Sequence, residues 1–159
     1  MGNLIRKRTL VLSEVVLNYL EKVEIKDLLS FLRSEFSELA VLDFEMFSAG
    51  DQFGMKMIEN FKERGIPLKG IEFFSGLDKV SQEYEGMGFQ TVEIETMRSI
   101  EDKFLPEEEI KLVNQVEWLD EFEELWLFQN HYFMSLAISD KTLSNQISEF
   151  SLSVLRSKN

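Results

Sequence analysis

The run TLVLSEVVLNYL, Thr9 to Leu20, is mostly apolar in a chain where 29% of residues are charged. A strand with this composition needs cover on both faces. A parallel α/β sheet with helices above and below supplies it, whereas an antiparallel ribbon with one wet face does not. One carboxylate, Glu14, interrupts the run near the expected carboxyl end of the strand, and apolar character persists to about Tyr19. Burying an ionised carboxylate without a partner is costly. Glu14 is therefore paired, exposed at the end of an element, or placed for a ligand.

The following segments alternate between two periods. Ile25, Leu28, Leu29, Leu32 and Phe36 fall on one helical face, and ELAVLDFEMF (Glu38 to Phe47) then reads as a second parallel strand covered on both sides. Asp51 is placed to cap a helix carrying Phe53, Met57 and Phe61, which Gly65 and Pro67 should stop. Ser75 and Asp78 resemble a capping box ahead of the stripe Leu77, Val80, Tyr84 and Met87. QTVEIETM (Gln90 to Met97) alternates like an edge or half-buried strand. Pro106 and Glu107 to Glu109 suit a helix start, DEFEELWLFQ continues as a helical turn or two, and HYFMSLAI (His131 to Ile138) reads as a last strand. The order β-α-β-α-(α)-β-α-α-β indicates an α/β sheet with helices on its faces. The expected organisation is one domain over residues 1–138 and a loosely ordered, serine-rich tail over 139–159.

Composition narrows the chemistry. With 17 basic and 29 acidic residues the net charge is −12, which opposes nonspecific attraction to phosphate backbones and anionic membranes. Having no cysteine and one histidine, His131, the chain has neither disulfides nor thiolate nucleophiles, and few options for a metal site or a serine-histidine triad. No metal ligands and no catalytic side chain are assigned. There is no apolar run long enough to span a bilayer and no signal-peptide pattern, so the chain reads as cytoplasmic with no membrane partner. The acidic groups PEEE and DEFEE (Asp120 to Glu124) read as solvated helix faces. His131 reads as a structural hydrogen-bonding residue, and Trp118, Phe122, Trp126 and Phe128 as core or packing surface rather than a base-stacking platform.

Taken in order, TLVLSEVVLNYL, DQFGMKMIENFKERGIPLKGIE and FLPEEEIKLVNQVEWLDEFEELWLFQNHYF resemble the second half of the leucine carboxyl methyltransferase family, from about Thr9 to Ala137. The resemblance rests on the glutamate-bearing strand end, the Asp-x-Phe-Gly helix start followed by Met57 and Asn60, the Pro-Leu-x-Gly turn at Pro67 to Gly70, and the Asp-Glu-x-Glu segment. It implies the C-terminal half of a Rossmann-like sheet of the S-adenosylmethionine-dependent methyltransferase kind, mostly parallel with an antiparallel last strand. It also implies methylation of a carboxylate. The acceptor is the C-terminal leucine of a protein phosphatase catalytic subunit in one branch, and a wybutosine intermediate in tRNA in the other.

By this resemblance Glu14 is the cofactor-binding glutamate, facing the methionine portion of S-adenosylmethionine, and Tyr19 lies near the substrate. The glycine-rich cofactor loop, the acidic ribose contact and the N-terminal lid of the family are not in this sequence. The chain is therefore expected to be inactive alone and to associate with itself or with a missing N-terminal half. A truncated gene reading and a noncatalytic interaction module derived from the methyltransferase fold are the alternatives.

Overall fold

The computed structural model describes residues 5–116 and 122–140. Four strands, β1 (Ile5–Glu14), β2 (Phe36–Met46), β3 (Thr91–Thr96) and β4 (Tyr132–Ile138), form one sheet in the order β1-β2-β4-β3. β1 and β2 run parallel, and β4 runs antiparallel to both β2 and β3. Three strands thus point one way and the last is inserted against them, as expected of an α/β sheet that is mostly parallel with an antiparallel final strand.

The helices are α1 (Lys22–Glu35), α2 (Gln52–Glu63), α3 (Leu77–Gly86), α4 (Met97–Phe104), α5 (Glu107–Val116) and α6 (Phe122–Gln129). Each fits a local signal. α1 buries Ile25 and Leu29, while Phe36 has already entered β2. Asp51 caps α2, its side chain accepting a hydrogen bond from the Gly54 amide at 2.8 Å. α4 follows β3 without a loop and is one helix more than the sequence pattern indicates; Thr96 caps it by accepting from the Ser99 amide at 3.0 Å.

Two local readings are corrected. The apolar character that persists to Tyr19 is not strand throughout, because β1 stops at Glu14 and Leu17–Tyr19 forms a 3₁₀ turn. The Ser75/Asp78 capping box does not form. Gly76, at φ +145°, is the residue before α3. The Ser75 hydroxyl instead donates to the Glu72 carbonyl and accepts from Lys79 Nζ.

Register assigns the two faces of the sheet. Val11, Val41 and Ala137 lie side by side on one face, and Leu12, Leu42 and Leu136 on the other. The first face carries the main core, where Leu39, Val41, Phe133 and Ala137 join Ile25 and Leu29 of α1, Val80 and Tyr84 of α3, and Phe73 and Phe74. The second holds a smaller cluster of Ala40, Leu136 and Ile138 with Leu42 against it. At its β1 margin Leu10 is 64% and Leu12 67% exposed. Among the described residues no helix is long and apolar enough to cross a membrane.

Of the tail expected over 139–159, residues 141–159 lie outside the described residues. Its first residue, Ser139, is buried: its hydroxyl accepts from the Leu39 amide at 2.9 Å, and its own amide donates to the Leu39 carbonyl.

β2 also buries two carboxylates on the main-core face, Asp43 and Glu45. Asp43 lies beside Ser13 of β1 and Ser135 of β4, and none of these three side chains has a hydrogen-bond partner among the described residues. Burial, reinforced by the Glu45 charge two residues along, pushes the Asp43 carboxyl up to about 8, while the Ser13 hydroxyl works weakly the other way. Asp43 is therefore largely neutral at pH 7. An acid whose folded pKa lies above its unfolded value of about 3.9 loses stability as pH rises between the two, by up to roughly 1.4 kcal/mol per pH unit. Asp43→Asn should match the unaltered chain in thermal melts at pH 4, then exceed it increasingly up to about pH 8. Parallel melting curves over that range count against the assignment.

Candidate functional site

β1 ends in a turn whose backbone is unusual. Val15 has φ +51°, a left-handed conformation that a β-branched residue adopts at a cost of order 1–3 kcal/mol. Its amide donates to the Phe44 carbonyl at 2.8 Å, continuing the pairing of β1 with β2 for one more residue. The chain then leaves the sheet as the Leu17–Tyr19 turn.

A buried acid fixes that turn. The Val16 and Leu17 amides both donate to Glu45 Oε1, at 2.7 and 2.6 Å, and Asn18 Nδ2 donates to Glu45 Oε2 and to the Met46 carbonyl, each at 2.8 Å. Asn18 is the residue type this position needs. Both partners of its side-chain nitrogen are acceptors, so a donor must face them. Burial raises the Glu45 carboxyl above the ordinary carboxylate range despite these hydrogen bonds, which pull it down. The buried charge is compensated locally by donors rather than by a cation.

The turn is also approached from outside. Gly70 packs so closely that a Cβ there would lie 2.7 Å from the Leu17 carbonyl oxygen and 3.1 Å from Asn18 Cα. The Pro-Leu-x-Gly stretch seen in the sequence thus ends in a glycine because backbone from two segments meets there.

Glu14 stands at the last position of β1, exposed, beside Phe44 in register. It has neither a hydrogen bond nor an ion pair among the described residues. Tyr19, 40% exposed, lies four residues beyond the strangely bent Val15. Phe44 and Tyr132 stack with ring centroids 5.4 Å apart. Burial raises the Tyr132 phenol, with nearby Tyr19 and Glu45 adding to the effect. The carboxyl end of β1 and β2 therefore gathers an unpaired carboxylate, two tyrosines and a phenylalanine over a turn locked by Glu45.

Sequence reading singled out Glu14 and Tyr19 but passed over Asn18, Phe44, Glu45 and Tyr132. One signal for Glu45 was available: Asp43 and Glu45 sit two apart in an otherwise apolar strand, which places both on one buried face.

The remaining candidates are structural. His131 is buried, its Nδ1 donating to the Leu127 carbonyl at 2.7 Å while Nε2 lies 2.9 Å from Asp51 Oδ1. It ties the start of β4 to the cap of α2, with the Phe47 and Phe53 rings against it. The Gly54 amide and His131 together hold the Asp51 carboxyl below its usual range.

Glu107, Glu108 and Glu109 are solvent-exposed, as are Glu123 and Glu124, and no group of three or more His, Cys, Asp or Glu side chains among the described residues is arranged to hold a metal. Phe122, Trp126 and Phe128 make a packing surface rather than core. α6 has no buried residue, Trp126 lies under the Arg98 guanidinium, and Phe128 meets Phe53 edge to face. Trp118, Asp120 and Glu121 fall outside the described residues.

The chain is 36% identical over 124 residues to leucine carboxyl methyltransferase 1 of Yarrowia lipolytica, a match covering 78% of this chain and 38% of that protein. The protein of the same name in Schizosaccharomyces pombe is 32% identical over 139 residues, 87% of this chain and 44% of the relative. The tRNA wybutosine-synthesizing protein 4 of Rattus norvegicus is 31% identical over 136 residues, 86% of this chain and 20% of the relative. The chain thus spans less than half the length of each of these relatives. No protein-family profile matches it. Among solved structures, phosphoethanolamine N-methyltransferase 2 of Haemonchus contortus aligns with a TM-score of 0.47 and 12% identity, over 81% of this chain and 32% of that one.

The close approach at Gly70 gives a direct check on this geometry. Since the nearest atom is backbone, Gly70→Ala forces the two segments apart and should cost roughly 1–3 kcal/mol, read in a denaturant titration. A variant as stable as the unaltered chain means that the segments do not meet as described.

Proposed function

This chain is homologous to the leucine carboxyl methyltransferases over about four-fifths of its length, and from that kinship we propose that it forms part of an S-adenosylmethionine-dependent carboxyl O-methyltransferase. The observation that carries this reading is the Glu14 carboxylate at the strand end, without a partner among the described residues, where open α/β sheets receive ligands. The donor set suits one portion of the cofactor. An anionic side chain with aromatic rings beside it favours a cation, and the methionine portion carries both an ammonium and a sulfonium. When bound, S-adenosylmethionine supplies an electrophilic methyl group.

In this reading Glu14 accepts a hydrogen bond from the methionine ammonium group and Tyr19 borders the acceptor. A carboxylate acceptor has an ordinary pKa of about 4, is ionised at neutral pH, and needs no general base. The residues of the site then have to hold and align their ligands, and no proton has to be moved. That agrees with a site that has no histidine among its side chains. The acceptor is a protein C-terminal leucine or a carboxyl-bearing tRNA intermediate, and the setting is cytosolic. Because the sequence contains no glycine-rich phosphate-loop motif of the G-x-G-x-x-G kind, the chain alone is expected to transfer no methyl group.

Two measurements test this reading. Incubation of the pure chain with labelled S-adenosylmethionine and either acceptor should give no turnover, and turnover would overturn the claim that the chain is incomplete as a catalyst. In a protein completed with the cofactor loop, calorimetric titration should show Glu14→Gln weakening S-adenosylmethionine binding by about ten- to a hundred-fold, since a charge-assisted hydrogen bond contributes roughly 1.5–3 kcal/mol. Its thermal melt should be unchanged. Equal affinity with a large loss of stability makes Glu14 a structural carboxylate.

A second reading, a noncatalytic interaction module, draws on the exposed Leu10 and Leu12 beside the edge of β1 that no strand among the described residues pairs. Both readings expect this margin to be covered by another polypeptide, a second copy included. Light scattering across a concentration series should show association that Leu10→Lys with Leu12→Glu suppresses. A strictly monomeric unaltered chain with cooperative unfolding removes the support for this cover.

A further inference from the structure

Building on the reading of Glu14 and Tyr19 as ligand-facing groups, we propose that Glu45 is a positioning residue for that site. With Asn18 beside it and Gly70 pressed on the turn, its carboxylate holds Val15–Tyr19 in the one conformation that sets both groups at the strand end. Neither group touches Glu45 through a hydrogen bond. The connection runs through the backbone between them.

Three features support this assignment. The first is geometric economy: one side chain accepts from two consecutive amides and, as a third donor, from the Asn18 side chain within the same turn, at 2.6 to 2.8 Å. Among the described residues those amides have no backbone acceptor of their own, because β1 has ended and the 3₁₀ turn has only begun. The second is strain. Val15, immediately after Glu14, is held at φ +51°, and such a conformation persists only where its surroundings over-determine it. The third is placement. Glu45 is fully buried on the main-core face of β2, while Glu14 is exposed on the opposite face of β1. The acid that fixes the turn is thereby kept out of reach of a ligand at the strand end.

A residue serving only the fold would be expected to sit where burial comes at low cost, yet a valine or leucine at position 45 would pack against the same core without a carboxyl to desolvate. What an apolar residue cannot do is receive the Val16 and Leu17 amides. The acid is explained by the turn it holds, and the turn by the groups it presents.

Glu45→Gln tests this in the full chain, because it keeps size and shape but turns one end of the side chain into a donor facing the Asn18 amide nitrogen. Asn18→Ala is the second variant, removing one donor while leaving the amide contacts. Amide hydrogen exchange by NMR should speed up at Val16 and Leu17 by at least about ten-fold in Glu45→Gln, with Leu39, Val41 and Phe133 in the sheet unchanged; Asn18→Ala should give a smaller change at the same amides. In a completed protein, S-adenosylmethionine binding should weaken in Glu45→Gln about as much as in Glu14→Gln. If exchange speeds up uniformly through the sheet in both variants, or at neither amide, Glu45 is a stability residue only and the proposal falls. It falls equally if Glu14→Gln weakens binding and Glu45→Gln does not, a result that leaves the cofactor reading intact. In a completed protein, absence of binding, or a Glu14→Gln variant that binds as well as the unaltered one, overturns the cofactor reading instead, and the exchange result alone then judges the clamp.

Discussion

Much of this molecule depends on how a buried carboxylate in the central region of the sheet is satisfied. Glu45 is completely removed from solvent, and among the described residues its compensation is a set of donors aimed at both oxygens rather than a cation. Those donors come from the turn after β1, so the fold can bury the acid only by bringing that turn to it. The route of the chain from β1 into α1, the left-handed Val15, and the choice of asparagine at position 18 all follow from the same requirement. Asp43, two residues earlier on the same face, shows the other outcome. It lies between the Ser13 and Ser135 hydroxyls instead of under a set of amide donors, and its carboxyl is carried as the neutral acid.

The two faces of the sheet are treated differently. The main core joins aromatic side chains from several segments, with Phe73, Phe74, Tyr84, Phe89 and Phe133 meeting largely edge to face, an arrangement that suits the ring quadrupole. The opposite face thins out toward β1, where two leucines stand in water. A parallel edge strand with one bare apolar margin belongs to a sheet that continues, or to one that meets another chain. The homology to proteins about twice as long or longer fits the first description and the exposed leucines fit either.

Much of the architecture was legible in the sequence because strand and helix periods switch cleanly, and because Asp51, Gly65 and Pro106 mark ends by chemistry that acts locally. The end of β1 was not legible from composition. Val15, Val16 and Leu17 look like more strand; Val15 does still pair with Phe44, and the long-range contacts of the Val16 and Leu17 amides with Glu45 then hold the chain out of the sheet. Ser75 misled for the opposite reason: a good capping residue lay next to a glycine whose backbone sent the chain elsewhere. Of the site, Glu14 and Tyr19 could be picked out by family resemblance. Phe44 and Tyr132 could not, since their stacking depends on the register between β2 and β4, which pairs residues about ninety positions apart and is set by the whole sheet.

The insertion of β4 between β2 and β3 has a consequence for how the chain is assembled. β2 and β3 share no hydrogen bonds; the β1-β2 pair and β3 are joined only through β4, the strand that leaves the ribosome last of the four. A nascent chain can pair β1 with β2 early, since α1 alone separates them. β3 must then wait, through three further helices, for the strand that bridges it to the rest. During that interval the edge of β2 that β4 will occupy is open and rich in apolar side chains, which is the kind of surface that chaperones shield and that misassembly exploits. The strand that completes the sheet is therefore also its kinetic gate, and residues such as Phe133 and Ala137 close the core in the same step in which they join its two halves.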